Sequence, residues 1–274
     1  MRLFHIGALA LAVSAVTLGA AGCSADRTTA APAAAQAGRG APAAAQAAEG
    51  APAKAVEGAP AAETVVLGSG RDRTASRTAA DWKTYADHVL VVTVAGETRV
   101  EPSRLEVERG EGMIGRTVQL RIDKVLWSAP DAPQKAPATL KVAAAGWVFN
   151  NNEGKAAGVK FAMEDSSRLE VGHTYVKAVE WVDDACSADP AVGTWEGLGS
   201  GDTIPYDKGV VGAGEFEGRT QTLDQAKAKF GAGESTLRPQ LAGGPVDTLV
   251  SNLKAAPARA ETDHGSRECD PADK

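Results

Sequence analysis

Residues 116–127 read RTVQLRIDKVLW, and this stretch decides the fold class. Val118, Leu120 and Ile122 alternate with polar residues, so the apolar side chains fall on one face of an extended chain. Such a strand is typical of an antiparallel sheet that packs on one side and faces water on the other. The stretch therefore predicts a half-buried strand in a mainly β protein.

Segments on both sides of this strand have a similar character. Further strands are predicted at His88–Val94, Thr139–Ala143, Gly146–Phe149, Val159–Met163 and Thr174–Val182. Turn signals rich in Gly, Pro and Asn separate the later strands, and no helix is predicted between them. Short connections favour antiparallel pairing, so we expect a small antiparallel barrel or sandwich.

Helices are predicted only at the two ends of this region. Thr78 can cap a short helix that carries Trp82 at helical spacing from other apolar residues. Thr222–Gln225 fits a capping box that opens a helix to about Phe230, and Pro245 precedes another helix at Val246–Ala255. The predicted globular domain spans 78–255 and has one N-terminal and two C-terminal short helices.

The amino terminus is typical of an exported protein. A charged start is followed by an apolar run at Leu3–Ala21, and small residues directly precede Cys23. The run is nearly long enough to cross a bilayer, but glycines and hydroxyl residues dilute it and no basic residue follows until Arg27. Residues 1–22 are therefore predicted to be a signal peptide and not a membrane anchor.

The context of Cys23 resembles the lipobox of bacterial lipoproteins. In those proteins the thiol receives a diacylglyceryl group, palmitate being a typical acyl chain, and the cysteine becomes the first residue. Each buried methylene contributes about 0.8 kcal/mol, and two chains suffice for stable anchoring. The resemblance implies a mature protein whose partner is the lipid bilayer, on the outer face of the cytoplasmic membrane.

Residues 23–77 are predicted to be a tether. The phrase GAPAAAQAAE at 40–49 recurs in shortened form at 50–57 and 58–63. The segment has too few large apolar side chains to form a core, and the recurring proline interrupts any helix. As a flexible chain, 40 such residues span roughly 35 Å. Residues 256–274 are predicted to be a polar tail.

A resemblance covers most of residues 80–255. Val125-Leu126-Trp127 ends one predicted strand, and LEVGHTYV at 169–176 leads into another. Together with the lipobox, this sequence resembles the uncharacterised secreted lipoproteins of actinobacteria and, more loosely, an OB-type barrel. The family has no established activity and implies none. An OB-type barrel implies a binding platform for an oligomeric ligand.

The charge balance argues against nucleic acid as a partner. The chain has 29 basic and 35 acidic residues, a formal net charge of −6. A nucleic-acid-binding protein needs clustered Lys and Arg to displace counterions. The sequence has no such cluster.

Cys186 and Cys269 are the two cysteines that remain after Cys23. The even count and the predicted export favour a disulfide between them over two free thiols. The loop that this bridge closes corresponds to on the order of 4 to 5 kcal/mol of stability. A catalytic cysteine is disfavoured, because only His264 and Arg267 supply nearby base or charge.

Motifs for cofactors and metals fail on context or spacing. GEGMIG at 110–115 matches GxGxxG, but a strand is predicted after it, whereas a dinucleotide loop opens a helix. Asn150 starts a calcium-like spacing, yet Phe161 stands where the bidentate Glu is needed. No metal-ligand spacing joins the remaining histidines, His88, His173 and His264. We expect no cofactor and no metal.

Residues 195–218 are the most suggestive of a ligand site. Trp195, Tyr206 and Asp207 lie among many glycines, and exposed rings beside carboxylates can form a groove for a sugar or peptide chain. The favoured alternative is a glycine-punctuated hairpin whose Trp and Tyr close the bottom of a barrel.

These features favour a non-enzymatic, surface-tethered binding or interaction module, with cell-wall polymer or another envelope protein as its partner. A rival hypothesis is an envelope hydrolase with a dispersed active site, which a pocket holding His88 or His173 against a carboxylate would favour. A third is a structural or assembly factor of the envelope with no small ligand.

Overall fold

The computed structural model describes residues 64–150, 158–187, 189, 191–230, 235–260 and 269. The predicted signal peptide, Cys23 and the tether up to residue 63 lie outside these residues, as do His264, Arg267 and nearly all of the tail after 260. Of the helices that the structure describes, none has the length and apolarity needed to cross a membrane.

Strands predominate in the described residues, as the sequence predicts. The strands are β1 (Val65–Gly68), β2 (His88–Val100), β3 (Glu111–Ser128), β4 (Thr139–Asn150), β5 (Val159–Met163), β6 (Thr174–Asp183), β7 (Gly193–Gly197), β8 (Thr203–Pro205), β9 (Gly214–Phe216) and β10 (Arg219–Gln221). The helices are α1 (Ala79–Tyr85), α2 (Arg104–Arg109), α3 (Leu223–Phe230), α4 (Leu237–Leu241) and α5 (Asp247–Ala255).

Eight strands form one sheet in the order β1-β5-β4-β3-β2-β6-β7, with β8 paired to β6 beside β7. Its ladders are antiparallel except for β1 with β5, which is parallel. β9 and β10 form a separate hairpin. β4 comes close to β7, and no ladder joins these two strands in the described part of the chain. The gap between them is called the seam below.

The alternation that predicts β3 is present in its burial. Val118 and Leu120 are fully buried, whereas Gln119 and Arg121 are exposed. These apolar residues belong to an inner core on one face of the sheet, together with residues of β2, β4 and β6. The predicted period of two therefore decides which face of β3 packs.

The opposite face of β2 and β6 is covered by helices. Val89 and Val176 pack there against α1, α4 and α5 in an outer core. Trp82 of α1 is fully buried, and its indole N–H donates to the Ser76 carbonyl at 2.6 Å. The predicted caps are present: Thr78 forms a capping box with Asp81. Thr222 exchanges hydrogen bonds with Gln225 at the start of α3.

The folded part begins before Thr78, which corrects the predicted tether boundary. Val65 is buried in β1, and Thr74 and Ser76 are also buried. Residues 64–77 are therefore part of the domain and not of the tether. A four-residue strand in a polar context gives little periodicity, and its partner β5 lies far along the chain, so the sequence offered no local signal for it.

GEGMIG at 110–115 has the context predicted for a chance match. Gly110 ends α2 with a left-handed backbone (φ 76°), and β3 follows directly. No helix begins at this loop, so the backbone N–H groups are not arranged as in a dinucleotide site.

Candidate binding cleft at the seam of the sheet

Trp195 closes part of the inner core. It lies opposite Trp181 on the β6–β7 ladder. The ring centroids are 5.2 Å from Trp181 and 5.0 Å from His88, and Trp195 packs against the inner core. This is the arrangement of a core-closing aromatic residue and not of a groove wall.

Tyr206 lies far from Trp195. Tyr206 directly follows β8, whose Pro205 pairs with Tyr175, whereas Trp195 pairs with Trp181. Six residues of β6 separate the two positions, which is about 20 Å. Tyr206 also packs on the outer core and not the inner one. The predicted groove between these residues is therefore not formed.

Asp207 forms a hydrogen bond with His173. Its carboxylate accepts the Thr174 N–H at 2.9 Å and the Nδ1–H of His173 at 2.6 Å. His173 is thus placed against a carboxylate, but a hydrolase would be favoured only if this pair also lay in a deep pocket. Neither residue lines the three cavities described below.

His88 is buried and bonded at both ring nitrogens. Nε2 lies 2.9 Å from the Gln134 carbonyl oxygen, which can only accept, so Nε2 carries the proton of the neutral ring. Nδ1 then accepts from the Ser128 hydroxyl at 2.8 Å. Ser128 itself is exposed. The pair supplies a hydroxyl and an oriented base, two of the three parts of a nucleophilic triad.

Cys186 and Cys269 form the predicted disulfide. The bridge joins residues separated by 83 positions and fixes the carboxyl-terminal region to the loop after β6. Neither sulfur is available as a nucleophile while the bridge is intact.

Two buried arginines organise segment 164–170, which lies in the seam. Arg116 donates from Nε to the Ala145 carbonyl at 2.7 Å and from Nη1 to the Leu169 carbonyl at 3.1 Å. Arg168 donates from Nη2 to the Gly146 carbonyl at 2.6 Å. These bonds tie the segment to Ala145 and Gly146 of β4, where the β3–β4 ladder has a register shift and these two residues have no ladder partner on β3.

Glu215 of β9 holds the same segment from the other side. Its carboxylate accepts the N–H groups of Arg168 at 3.0 Å, Leu169 at 3.1 Å and Gly218 at 2.6 Å, and the Tyr175 hydroxyl at 2.7 Å. Burial raises the pKa of Glu215, although these hydrogen bonds favour the ionised form. Leu169 has a left-handed backbone (φ 66°), uncommon for a branched residue. The network therefore stabilises a backbone conformation that the sequence does not prefer.

Three adjoining cavities of about 120, 330 and 230 Å³ run along this segment. The first and second share Arg77 and Asp165, and the second and third share Met163, Ser166 and Gly199. Together they are called the seam cleft. The second cavity, of about 330 Å³, lies by itself within the range of small-molecule sites, roughly 300–1,000 Å³.

A buried ion pair lies at the third cavity. The Lys177 ammonium is 2.8 Å from the Asp202 carboxylate and 3.1 Å from the Thr203 hydroxyl, and all three residues are at least nine-tenths buried. The pair joins β6 to the loop before β8. It provides a rigid polar wall, because breaking it would leave a charge unpaired in the interior.

The seam cleft carries more cations than carboxylates, although the whole chain is acidic. Its cations are Arg71, Arg77, Arg168, Lys177, Lys229 and Arg238. Its carboxylates are Asp72, Glu164, Asp165 and Asp202. Polar hydroxyls from Ser69, Ser166 and Ser200 complete the lining. The arrangement is suited to a polar chain that carries hydroxyl and anionic groups.

The sequence did not point to this cleft. Its residues come from six separate stretches between 69 and 238, and no motif joins them. The one signal for it in the sequence is a pair of opposite charges, Arg168 and Glu170, directly before a predicted strand. Within the described ranges, no group of three or more His, Cys, Asp or Glu side chains is arranged to hold a metal ion.

The chain was also compared with known proteins. No family model matches it, and no curated protein matches it. Its function must therefore be inferred from its own residues.

Proposed function

We propose that this protein is a lipid-anchored, extracytoplasmic binding module that holds a cell-wall polymer in the seam cleft. The acylated residue is Cys23, the segment up to residue 63 is the tether, and the folded unit from residue 64 is the binding head. The observation that carries the binding role is the cleft itself: adjoining polar cavities, fixed by buried ion pairs, on a protein that otherwise carries an acidic excess.

The rigidity of the cleft supports binding. Its walls are held by Arg116, Arg168, Glu215 and the Lys177–Asp202 pair. A preformed site loses less entropy when a ligand binds, so more of the contact energy appears as affinity. Wall glycans and their peptides offer hydroxyls, amides and carboxylates, which match the hydroxyls and charges that line the cleft.

Sedimentation with purified cell walls tests this proposal. The full chain, purified in mild detergent, is mixed with wall particles and the bound fraction is measured after centrifugation. Ser69→Trp places a large ring in the cavity of about 330 Å³ and is expected to lower the bound fraction at least about tenfold. Ser251→Trp is the matched control, since Ser251 is exposed on α5 and lines none of the three cavities.

Equal loss in the two variants, or no binding by the unmodified chain, would count against the proposal. The placement at the membrane has its own test. Mass spectrometry of protein purified from cells should find Cys23 as a diacylated amino terminus, and an intact residue 1 would contradict it.

An envelope hydrolase is a second candidate function. The contact that favours it is the Ser128–His88 pair at 2.8 Å, whereas the His173–Asp207 pair lines none of the three cavities. In the Ser128–His88 pair, the exposed hydroxyl could transfer its proton to Nδ1 as it attacks an acyl group. Labelling of Ser128 by a fluorophosphonate, lost in Ser128→Ala, would support a hydrolase. Absence of labelling in the folded protein would argue against this serine as its nucleophile.

A further inference from the structure

One end of the seam cleft is strongly basic. The cavity of about 120 Å³ is lined by three cationic residues, Arg77, Lys229 and Arg238, and by one carboxylate, Asp165. By this measure a water molecule needs only about 10–15 Å³. The cavity is therefore large enough for a small group and not only for a single water.

Arg238 is a buried cation, and among the described residues no carboxylate is in ion-pair contact with it, although Asp165 and Asp202 lie near enough to act on its charge. It is 8% exposed, and its Nη atoms donate to the backbone carbonyls of Asp165 at 2.7 Å, Ser200 at 2.5 Å and Thr203 at 3.1 Å. Its Nε is buried and has no hydrogen-bond partner within the part of the chain that the structure describes. Burial lowers the pKa of Arg238 to about 10. Carbonyls satisfy its donors but do not neutralise its charge.

Two aromatic rings hold the guanidinium in place. It lies 4.9 Å from the Phe216 ring centroid and 5.9 Å from that of Phe230. Cation–π contacts stabilise the charge without cancelling it. The charged group is therefore fixed beside the cavity, because three carbonyl contacts and two rings hold it.

The other two cations lie at the rim. Arg77 is 3.4 Å from Asp165, and both side chains are more than two-fifths exposed, so this ion pair contributes only about 0–1 kcal/mol. Lys229 pairs with Glu217, whose carboxylate is 12% exposed and does not line the cavity, and its ammonium lies 4.7 Å from the Phe216 ring centroid. Arg77 can therefore reorient toward an anion at little cost, whereas Lys229 is a charge already held beside the cavity.

We propose that this cavity binds an oxyanion of the ligand, a carboxylate or a phosphate group, with Arg238 as the buried charge and Arg77 and Lys229 as rim contacts. The inference rests on the proposed function, because it assigns a ligand class to one end of the same cleft. An oxyanion there supplies the negative charge that Arg238 lacks, in a partly water-excluded site where the attraction is stronger than in bulk water.

Thermal unfolding of the full chain in mild detergent tests the proposal. Sodium acetate and sodium phosphate are titrated at pH 7 and constant ionic strength, with chloride as the reference salt, and tryptophan fluorescence reports the Tm. An anion that binds only the folded state raises the Tm saturably. Arg77→Gln and Lys229→Gln are each expected to weaken the apparent affinity by about tenfold, the loss of one charge-assisted hydrogen bond.

Lys227→Gln is the matched control for Lys229→Gln. Both lysines are exposed on α3, and both substitutions remove one positive charge, but Lys227 does not line the cavity. The affinity of the Lys227 variant should equal that of the unmodified chain. Arg238 itself is not substituted, since loss of its three carbonyl contacts would confuse binding with folding.

The outcomes separate the anion sources and the two proposals. A Tm rise with acetate alone assigns a carboxylate, a rise with phosphate alone assigns a phosphate, and a rise with both assigns a general oxyanion site. No saturable rise with either anion, or an equal loss of anion affinity in the Lys227 and Lys229 variants, overturns the inference.

If cell walls still sediment the protein in that case, the cleft remains a binding site without an anion subsite. If the Tm rises but walls do not bind, the wall polymer is excluded as the ligand and the anion site stands.

Discussion

At the scale of single residues, buried charges support the seam. Glu170 accepts from Arg168 and lies 3.3 Å from the Lys160 ammonium. Burial acts to raise the pKa of Glu170, but the charges of Arg168, Lys160 and Arg116 outweigh it and hold the pKa below its ordinary value. Each of these side chains is tied to a neighbour by charge, so the loss of one is felt by the others.

The free energy of unfolding should therefore depend on Glu170 at acid pH. A carboxyl whose pKa is lowered in the folded state stabilises the fold in its ionised form. This stabilisation is fully present above the ordinary pKa of 4.5, and it is lost as the pH falls through the folded-state pKa. Glu170→Gln is expected to cost about 2 kcal/mol at pH 7 and to flatten the decline below pH 4.5. Urea unfolding between about pH 3 and 7 measures both effects.

Glu101→Gln serves as the comparison, because Glu101 is 70% exposed and its contact with Arg99 lies in solvent. That variant should follow the unmodified chain at every pH. A Glu170 variant with an unaltered acid slope would contradict the proposed charge network.

At the scale of elements, the periodicity of apolar residues predicts single strands and the faces on which they pack. The strand predicted at Val159–Met163 has the same bounds as β5, and β3 follows the alternation of its sequence. The two strands predicted at Thr139–Ala143 and Gly146–Phe149 are one strand, β4. Gly146 marks a close approach and not a break, since a Cβ there would lie 2.1 Å from the Ile114 carbonyl oxygen. The seam cleft was not predictable in this way, because its ion pairs join stretches far apart in the chain.

Substitutions in β1 test whether the domain begins before Thr78. Val65 and Val66 are neighbours, but Val65 is 8% exposed and Val66 is 40% exposed. Val65→Asp buries an unpaired charge and is expected to lower the free energy of unfolding by about 3 kcal/mol or more. Val66→Asp should cost less than about 1 kcal/mol. Urea unfolding of the two variants provides the measurement, and equal small effects would place β1 outside the cooperative unit.

At the scale of the whole molecule, the disulfide complements the tether. The predicted tether enters the domain at β1, whereas the Cys186–Cys269 bridge holds the opposite end of the chain to the loop after β6. The bridge thus fixes Cys269 to the domain, at the end of the chain opposite the predicted tether. An oxidising compartment outside the cytoplasm would favour such a bridge.

Removal of the bridge should lower the stability of the whole domain. A double variant, Cys186→Ser with Cys269→Ser, is expected to lose up to about 4 to 5 kcal/mol, because the unfolded chain regains the entropy of the closed loop. Denaturant unfolding with and without reductant measures the loss. Reductant should destabilise the unmodified chain and leave the double variant unchanged; a response in both would indicate that the effect does not come from this bridge.

The central claim, that the seam cleft binds a cell-wall polymer, is tested most directly in whole cells. A photoreactive side chain is introduced at Ser69 in one strain and at Ser251 in another, and adducts are identified by mass after irradiation. The account predicts adducts with wall fragments from position 69 and none from position 251. Adducts with a protein alone from position 69, or equal yields from both positions, would contradict it.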